Sequence, residues 1–376
     1  MRWDIFCRVI DNYGDIGVCW RLARQLAAEH GLQVRLWVDD LASLHHILPE
    51  AAPNLELQTC NGVKIRRWGG PFPEVSPAEV VISAFSCELP ESYQLAMATP
   101  SSTREEGAKP QWINLEYLSA ETWVDSHHGL PSPHPCLPLT RYFFFPGFTP
   151  ATGGLLREQG LLSRRDEQHP SAVWQTLNLP QPAPNETSIS LFCYDNAPVA
   201  DLLDTWAASA TPVRCLLPES KVLAQVADWA GQLLLEPGGT IERGNLTLNA
   251  IPFMPQEDYD RLLWACDCNF VRGEDSFVRA QWATRPMVWQ IYPQQENAHL
   301  VKLDAFLDRY CAGLAEDAAH AMRNFHHAWN SNGRLDWDTF WQHRAALQAH
   351  AEAWAAHLAQ ETDLASKLVI FCKNRV

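Results

Sequence analysis

The sequence contains no apolar run approaching the roughly 20 residues that a membrane-spanning helix needs, so it predicts no membrane span and no membrane partner. Positive charge is scarce: 29 Lys and Arg stand against 44 Asp and Glu, a net charge of −15. Proteins that bind nucleic acid neutralise phosphates with clustered Lys and Arg, so nucleic acid is excluded as a general partner. An acidic surface suits a partner protein with a basic patch.

A disulfide framework is also missing from the sequence pattern. The eleven cysteines are odd in number and scattered from Cys7 to Cys372, and the opening "MRWDIFCRVI" runs directly into a strand-like segment, which predicts no secretory leader. Reduced thiols in a cytoplasmic enzyme fit this pattern. Cys266 and Cys268 lack a second ligand pair at metal-binding spacing, so we expect buried structural thiols and no metal.

The length of 376 residues favours two domains, because single hydrophobic cores rarely grow so large. Strand-like runs alternate with helical patterns in both halves, as in "WDIFCRVI", "LQVRLWVD" and "AEVVISAF" and later in "SISLFCYD" and "LTLNAIPF". This alternation predicts an α/β protein with mostly parallel sheets. We place an N-terminal domain at 1–165, a proline-punctuated linker at 166–185, a second domain at 186–350 and a C-terminal helix at 351–376.

Two aspartates occupy the predicted turn between the first strand and the first helix. In "RVIDNYGDIGVCWRLARQL", Asp11 and Asp15 lie four residues apart with no basic residue between them, and the helical pattern opens at Gly17. Ligands bind at the carboxyl ends of strands in such sheets, which is where this turn falls. Turn-forming and helix-capping aspartates are also frequent at strand–helix junctions. From spacing alone, both interpretations stay open.

A second stretch, "VRGEDSFVRAQWATRPMVWQIYPQQENAHL", also joins a predicted strand to a helix. We expect a glycine turn to expose Glu274 and Asp275 and Ser276 to be the N-cap of the helix. A helix N-terminus gathers unpaired N–H groups and favours phosphate. The pattern G-x-x-S, then Ala and Pro, then P-x-x-x-N-A resembles the donor site of nucleotide-sugar glycosyltransferases of the GT-B fold.

A more specific resemblance covers residues 3 to about 305. The segments "DNYGDIGVCWRLARQL", "WINLEYLSAE", "HGLPSPHP…LTRYFFFPGFTPATGGLLRE", "PFMPQEDYD" and "RGEDSFVRAQWA" together resemble the bacterial elongation factor P arginine rhamnosyltransferases, the EarP family. The resemblance implies a GT-B fold, with two facing Rossmann-like domains and an active-site cleft between them. The C-terminal helix would pack back toward the N-terminal domain.

The resemblance also implies a reaction. L-rhamnose passes from dTDP-β-L-rhamnose to a loop-tip arginine of elongation factor P with inversion, which activates the factor for ribosomes stalled at polyproline. A guanidinium is a poor nucleophile, so the transfer needs a carboxylate that accepts its proton. We assign Asp15 as the general base and Asp11 as the second carboxylate that orients the arginine. Glu274 would help to hold the acceptor or the sugar, and Asn12, Gly14 and Gly17 would form the loop.

For the donor, the resemblance implies stacking and phosphate contacts in the C-terminal domain. Thymine would lie beside Phe253, with Gln256 reading its edge. The remaining donor contacts are expected from Phe192, Tyr194, Arg272, Asp275, Ser276 and Tyr292. Each aromatic residue near a strand end could instead belong to the core.

No cofactor or metal is expected, since enzymes of this fold typically neutralise the leaving diphosphate with helix ends and basic side chains. The adjacent histidines at 45–46, 127–128 and 326–327 project in different directions and are expected at the surface. Two alternatives stay open: a GT-B transferase with another acceptor, and a non-catalytic module that binds the nucleotide or the elongation factor. For the acceptor protein we expect a docking surface near Asp39, Asp40 and 83–91.

Overall fold

The computed structural model describes residues 1–11, 13–99, 109–169 and 171–375. The chain divides into two compact units: Met1–Gln159 with Glu361–Val376 form unit 1, and Gly160–Gln360 form unit 2. The described part of the chain contains no helix that is both long and apolar enough to cross a bilayer.

Unit 1 is built on an eight-stranded sheet in the order β3-β4-β2-β1-β5-β6-β8-β7. Six of these strands run parallel, and β3 and β7 are antiparallel edge strands. The elements are β1 Arg2–Cys7, α1 Gly14–His30, β2 Gln33–Val38, α2 Leu41–Ile47, β3 Leu57–Cys60, β4 Val63–Arg67, β5 Val80–Ala84, α3 Glu91–Ala98, β6 Gln111–Leu115, α4 Val124–His127, β7 Pro131–Pro133 and β8 Thr140–Phe144.

The sequence explains these central elements. β1 is apolar at four of its six positions and buried from Trp3 to Cys7, as expected of a central parallel strand that is covered on both faces. The helix that follows ends at Gly31, whose φ of 64° provides the left-handed C-cap that a side chain would disfavour. Phe6 of β1 stacks on Trp37 of β2, with ring centroids 5.5 Å apart.

Unit 2 is built on a six-stranded sheet in the order β11-β12-β10-β9-β13-β14, parallel except for the edge strand β11. The elements are α5 Leu161–Asp166, α6 Ala172–Thr176, β9 Thr187–Leu191, α7 Val199–Ala207, β10 Val213–Pro218, α8 Val222–Ala230, β11 Thr240–Arg243, β12 Leu246–Ile251, α9 Gln256–Ala265, β13 Cys268–Arg272, α10 Asp275–Trp282, β14 Met287–Gln290, a 3-10 turn Gln295–Asn297, α11 Ala298–Tyr310, α12 Glu316–Ser331, α13 Trp337–Trp341 and α14 Arg344–Leu358.

The unit boundaries differ from those drawn on the sequence. The change of unit falls after Gln159, and the segment predicted as a linker contains α6 within unit 2. At the C-terminal end, α14 completes unit 2, and α15 (Leu364–Lys373) belongs to unit 1. There Gln25 of α1 donates to Asp363, the residue that caps α15.

The cysteines are free thiols, and nine of the eleven are buried. Burial raises the pKa of the Cys266 and Cys268 thiols well above its ordinary value, so both thiols stay protonated at neutral pH. The prediction of buried structural thiols at these two positions is confirmed.

The prediction of surface histidines is wrong for His326. Its side chain is 1% exposed, and its Nε2 accepts the backbone N–H of Trp289 of β14 at 3.1 Å. Burial lowers the pKa of His326 to about 4, since a charged imidazole would lose both water and this hydrogen bond. Adjacency in sequence did not reveal this, because His326 lies on the face of α12 that packs against β14.

The depressed pKa of His326 predicts acid sensitivity. In the unfolded chain an imidazole titrates near 6.5, so below that pH the unfolded state binds a proton that the folded state refuses. The contribution of neutral His326 to the free energy of unfolding is therefore fully present above about pH 6.5, and it is lost as the pH drops toward 4. We expect this group to contribute a loss of about 2 kcal/mol between pH 7.5 and 5.

Urea unfolding of the wild type and of His326→Gln at both pH values measures this loss. The glutamine keeps an acceptor and does not titrate, so its stability should fall less on acidification. His128, whose pKa burial lowers to about 4 as well, contributes equally to both proteins. An identical loss in wild type and variant would contradict the assignment to His326.

Candidate active site

The Asp15 carboxylate closes the loop between β1 and α1. Asp15 is the second residue of α1 and only 2% exposed. Its Oδ2 accepts the backbone N–H of Ile10 at 2.8 Å and that of Asp11 at 2.9 Å. The two N–H bonds and the N-terminal end of the helix both favour a negative charge here. The acid is therefore held in one orientation by the backbone of its own loop.

The other oxygen of Asp15 faces a tyrosine that sequence analysis did not single out. Oδ1 accepts the hydroxyl of Tyr117 at 3.2 Å. Tyr117 follows β6 and is 37% exposed, and its ring stacks on Phe85, with centroids 4.4 Å apart and planes at 19°. Tyr117 lies in the segment "WINLEYLSAE", but only the fold brings the end of β6 next to the loop after β1.

The stacked ring belongs to a strained turn. Phe85 and Ser86 both adopt positive φ, 55° and 56°, in a region that side chains with a Cβ rarely enter. Hydrogen bonds hold the turn: Ser86 donates to Glu116 at 3.2 Å, and Asn114 donates to Ser86 at 3.1 Å and to Glu116. Such strain is typical of functional loops that the surrounding structure over-determines.

Gly14 leaves room for the Asp11 side chain. A Cβ at Gly14 would lie 2.6 Å from Asp11 Oδ2, closer than real Cβ contacts. The predicted loop residue Asn12 lies outside the described residues. The loop is shorter than predicted, because α1 begins at Gly14 and includes Gly17, whose N–H donates to Tyr13 in the first helical turn at 2.9 Å.

The two aspartates expected at the docking surface have local roles. Asp39 accepts the backbone N–H of Val9 at 2.9 Å, and Asp40 caps α2 by accepting the N–H groups of Ala42 and Ser43. The hydroxyl of Ser43, bonded to Asp40, holds the pKa of that carboxyl below its usual value. Both residues therefore shape the loop after β2.

In unit 2, an arginine lies between two predicted donor-binding rings. The Arg272 guanidinium carbon is 4.5 Å from the ring centroid of Phe192 and 4.5 Å from that of Tyr194. Phe192 and Tyr194 follow β9, and Arg272 ends β13, the neighbouring strand. Cation–π contacts of this kind are worth about 0.5–2 kcal/mol. They hold a positive charge at the carboxyl end of the sheet.

The remaining predicted aromatic residues, Tyr292 and Phe253, lie on two other segments of unit 2. Tyr292, 41% exposed, meets Tyr194 edge to face at 5.6 Å. The backbone N–H of Tyr194 donates to Gln290 at the end of β14 at 2.7 Å, which fixes the turn after β9. Phe253 is half-buried on the segment between β12 and α9.

The N-terminal ends of α9 and α10 are linked directly. Gln256, the first residue of α9, donates from Nε2 to Asp275 Oδ2 at 2.9 Å. Asp275 is the first residue of α10, and Glu274, half-buried, is its N-cap residue. Three residues predicted to serve donor and acceptor therefore lie together at two helix ends.

The prediction that Ser276 is the N-cap is wrong. Ser276 is the second residue of α10 and 6% exposed, and its hydroxyl donates to the carbonyl of Arg272 at 2.5 Å and accepts the N–H of Arg272 at 3.0 Å. The side chain thus fastens the end of β13 to the helix, because the turn between them contains only Gly273 and Glu274.

The sequence contains two Asp-x-Asp runs, a pattern that some transferases use to hold a metal, at 258–260 and 336–338. Here Asp260 pairs with Arg279, and Asp336 caps α13. Among the residues that the structure describes, no group of three or more His, Cys, Asp and Glu side chains is arranged to hold a metal ion.

Both groups of residues lie at the point where the strand order reverses. In unit 1 the reversal is between β1 and β5, next to the Asp11–Asp15 loop and the Phe85 turn. In unit 2 it is between β9 and β13, where Arg272 lies between its two rings. Open α/β sheets bind ligands at such points, outside the carboxyl ends of the strands. Each unit therefore presents one candidate site.

Comparisons with known proteins agree with this arrangement. The family model "Elongation-Factor P (EF-P) rhamnosyltransferase EarP" matches residues 3–373. Protein-arginine rhamnosyltransferases of Pseudomonas putida and Pseudomonas aeruginosa are 50% and 49% identical to the chain, over 99% and 98% of it and 98% of each relative. That of Neisseria meningitidis is 36% identical over 98% of the chain and 96% of the relative.

Solved structures agree as well. A structure described as the basis for EarP-mediated arginine glycosylation of translation elongation factor EF-P covers 100% of the chain and 99% of its own, with a TM-score of 0.70 and 38% identity. The spinosyn rhamnosyltransferase SpnG has a TM-score of 0.53 at 11% identity over the full length of both chains, a likeness of fold alone. The predicted GT-B class of α/β fold is confirmed.

The buried hydroxyl of Ser276 predicts a measurable loss of stability in Ser276→Ala. The change leaves the backbone N–H of Arg272 without this acceptor, which typically costs about 1–3 kcal/mol. Thermal unfolding of both proteins measures the loss. Ser331→Ala, which removes an exposed hydroxyl bonded to His327, is the control and should change the midpoint little. Equal midpoints for wild type and Ser276→Ala would contradict the assigned role.

Proposed function

This chain belongs to the EarP family of elongation factor P rhamnosyltransferases, and from that premise we propose that it transfers L-rhamnose from dTDP-β-L-rhamnose to a loop-tip arginine of elongation factor P. The transfer inverts the anomeric carbon. It takes place in the cytoplasm and activates the factor for ribosomes stalled at polyproline. The observation that carries the proposal is the Asp15 carboxylate, which is held in the first turn of α1 by the loop after β1, with Oδ1 directed to Tyr117.

Asp15 acts as the general base through Oδ1. Oδ2 is occupied by two backbone N–H groups, whereas Oδ1 accepts one long hydrogen bond and has a second lone pair for an incoming N–H. As the guanidinium nitrogen bonds to the anomeric carbon, the bond from that carbon to the diphosphate oxygen breaks. The nitrogen loses a proton to Oδ1, and dTDP leaves with the bonding electrons. A positioned base of this kind contributes about 100- to 10,000-fold.

Asp11 and Glu274 hold the cationic acceptor and the sugar. A second carboxylate beside the base can bind the planar guanidinium through charge-assisted hydrogen bonds. Asp11 occupies this position in the same loop, where Gly14 makes room for it. Glu274, the N-cap residue of α10, contacts the arginine or the sugar hydroxyls from unit 2.

The donor binds to unit 2. Arg272, fixed between Phe192 and Tyr194, and the N–H groups of Asp275 and Ser276 at the start of α10 neutralise the diphosphate. Tyr292 borders the same site. Thymine stacks on Phe253, and Gln256, oriented by Asp275, reads its edge. Arginine and a helix end stabilise the leaving group in this scheme, which uses no metal or other cofactor.

Intact-mass analysis of elongation factor P after incubation with the enzyme and dTDP-β-L-rhamnose tests the function. We expect one deoxyhexose mass increase, mapped to one arginine, and an equal yield with and without a metal chelator. The factor with that arginine replaced by lysine is the control. An unmodified factor with bound nucleotide would indicate a binding module, and an unmodified factor with donor consumed on another acceptor would indicate a different transferase.

Gly14→Ala should lower activity without lowering stability. The new Cβ displaces the Asp11 carboxylate, which is the flexible end of a side chain, so the backbone of the loop need not move. We expect kcat/KM for the acceptor to fall at least tenfold. Because the effect passes through Asp11, adding Gly14→Ala to an Asp11→Asn enzyme should cost little more. Additive losses in this double-mutant cycle would contradict the proposed route.

Tyr117→Phe should lower kcat and leave the donor KM unchanged. The substitution keeps the ring on Phe85 and removes the hydroxyl that orients Asp15 Oδ1. We expect about a tenfold loss of kcat, as for other small errors in the placement of a base. Tyr142→Phe, on β8 beside Phe371, is the control. A Tyr117→Phe enzyme with wild-type kcat would show that Tyr117 does not position the base.

A further inference from the structure

We propose that the buried ion pair between Asp260 and Arg279 is a positioning device that sets the spacing of the two helices that bind the donor. The inference rests on the proposed function, since it concerns how dTDP-rhamnose is held. It assigns a role to two residues that contact neither the nucleotide nor the sugar in the scheme above.

The pair is bidentate and almost inaccessible. Arg279 Nε donates to Asp260 Oδ1 at 2.9 Å, and its Nη2 donates to Oδ2 at 2.7 Å. The side chains are 2% and 4% exposed. A guanidinium that meets a carboxylate through two parallel hydrogen bonds fixes both the distance and the relative angle of the groups, which a single point charge does not.

Helical periodicity places this pair one turn behind the donor-binding residues. Asp260 lies four residues after Gln256 on α9, and Arg279 lies four residues after Asp275 on α10. Residues four apart lie on the same face of a helix. The Gln256–Asp275 hydrogen bond at the helix ends and the Asp260–Arg279 ion pair are therefore successive links across one seam.

Stability alone does not account for a pair of this kind. Two buried charges lose their hydration, and replacing such a pair with apolar residues of similar volume is often neutral or stabilising. The charged pair instead fixes the relative orientation of the two side chains. Apolar side chains can pack against each other in several arrangements, whereas a bidentate ion pair has only one. Alignment of α9 with α10 is the property that this geometry supplies.

Alignment matters because one donor molecule spans both helices in the proposed scheme. Thymine meets Gln256 at the start of α9, and the diphosphate meets the start of α10. Two weak contacts joined by a covalent linker reinforce each other only when the two subsites have the spacing of the linker. Loss of alignment should therefore weaken the binding of dTDP far more than the binding of thymidine or of pyrophosphate alone.

The decisive variant is Asp260→Leu with Arg279→Met, which keeps an apolar, well-filled seam. Calorimetry with dTDP, thymidine and inorganic pyrophosphate separates alignment from subsite integrity. We expect dTDP to bind about tenfold more weakly, with the affinities for thymidine and pyrophosphate unchanged. In the transfer assay, the donor KM should rise about tenfold and the acceptor KM should stay the same. Thermal unfolding should show a midpoint equal to or above that of the wild type.

Glu186 and Arg214 offer a matched control in the same unit. Their side chains are 8% and 11% exposed and paired at 2.9 Å, and neither lies on α9 or α10. Glu186→Leu with Arg214→Met should leave dTDP affinity unchanged. The milder Arg279→Lys keeps the positive charge but loses the bidentate hydrogen bonds, so it should also lower the affinity for dTDP. This variant tests the proposal even if the apolar double variant does not fold.

Three outcomes would overturn the proposal: unchanged dTDP affinity in a folded double variant, equal losses for dTDP and both fragments, or the same loss in the control pair. The first would make the pair dispensable for alignment, and the others would make it a general support of the unit. Failure of the proposed function looks different, because the wild-type protein itself would then not bind dTDP or would bind it without transferring rhamnose.

Discussion

The proposed reaction depends on one carboxylate, that of Asp15, which the backbone of its own loop holds in place. The bonds from Ile10 and Asp11 to Asp15 Oδ2 fold the loop after β1 back onto the first turn of α1. An acid on the rigid start of a helix is positioned better than one on a loose turn, because the helix and sheet already determine its place. The same two bonds that form the turn leave Oδ1 as the oxygen for the proposed proton transfer. The structural and catalytic interpretations of Asp15 are therefore compatible.

Both units place their candidate binding residues at the strand reversal of the sheet, but the charges of the two sets are opposite. Unit 1 collects carboxylates at its strand reversal, which suits a cationic acceptor. Unit 2 places an arginine between two rings and two helix N-termini at its own reversal, which suits an anionic donor. In each unit a second set of contacts supports the candidate binding residues. In unit 1 the Phe85–Tyr117 stack supports the tyrosine that is bonded to Asp15, and in unit 2 the Asp260–Arg279 pair joins α9 to α10. Pre-organisation of this kind reduces the reorganisation that a reaction requires.

Much of the fold could be predicted from the sequence, because the central strands are rich in apolar residues and alternate with segments of helical apolar periodicity. β2, β5 and β12 fall within the segments predicted for them, and β1 and β9 each begin one residue earlier than predicted. Asp11 and Asp15 could be proposed because they lie between the end of β1 and the first turn of α1, where parallel sheets bind ligands. Arg272 and its aromatic neighbours could be found for the same reason.

What the sequence did not reveal depends on contacts between distant segments. Tyr117 reaches Asp15 because β6 lies two strands from β1 in the sheet. The positive φ of Phe85, which shapes the turn beneath the Tyr117 ring, is likewise a property of the fold. Ser276 resembles a helix cap, but the short turn after β13 brings its hydroxyl to the Arg272 backbone instead. His326 looks like a surface histidine until α12 is packed on β14. Local patterns do not encode these pairings.

The most direct measurement of the central claim is the single-turnover rate of Asp15→Asn. The asparagine carbonyl can still accept the two loop N–H groups, so the fold and dTDP affinity should match the wild type, while the group at Oδ1 can no longer take a proton. If Asp15 is the general base, the rate of Asp15→Asn is at least 100-fold below that of the wild type. A folded Asp15→Asn enzyme that transfers rhamnose at a near-normal rate would contradict this assignment.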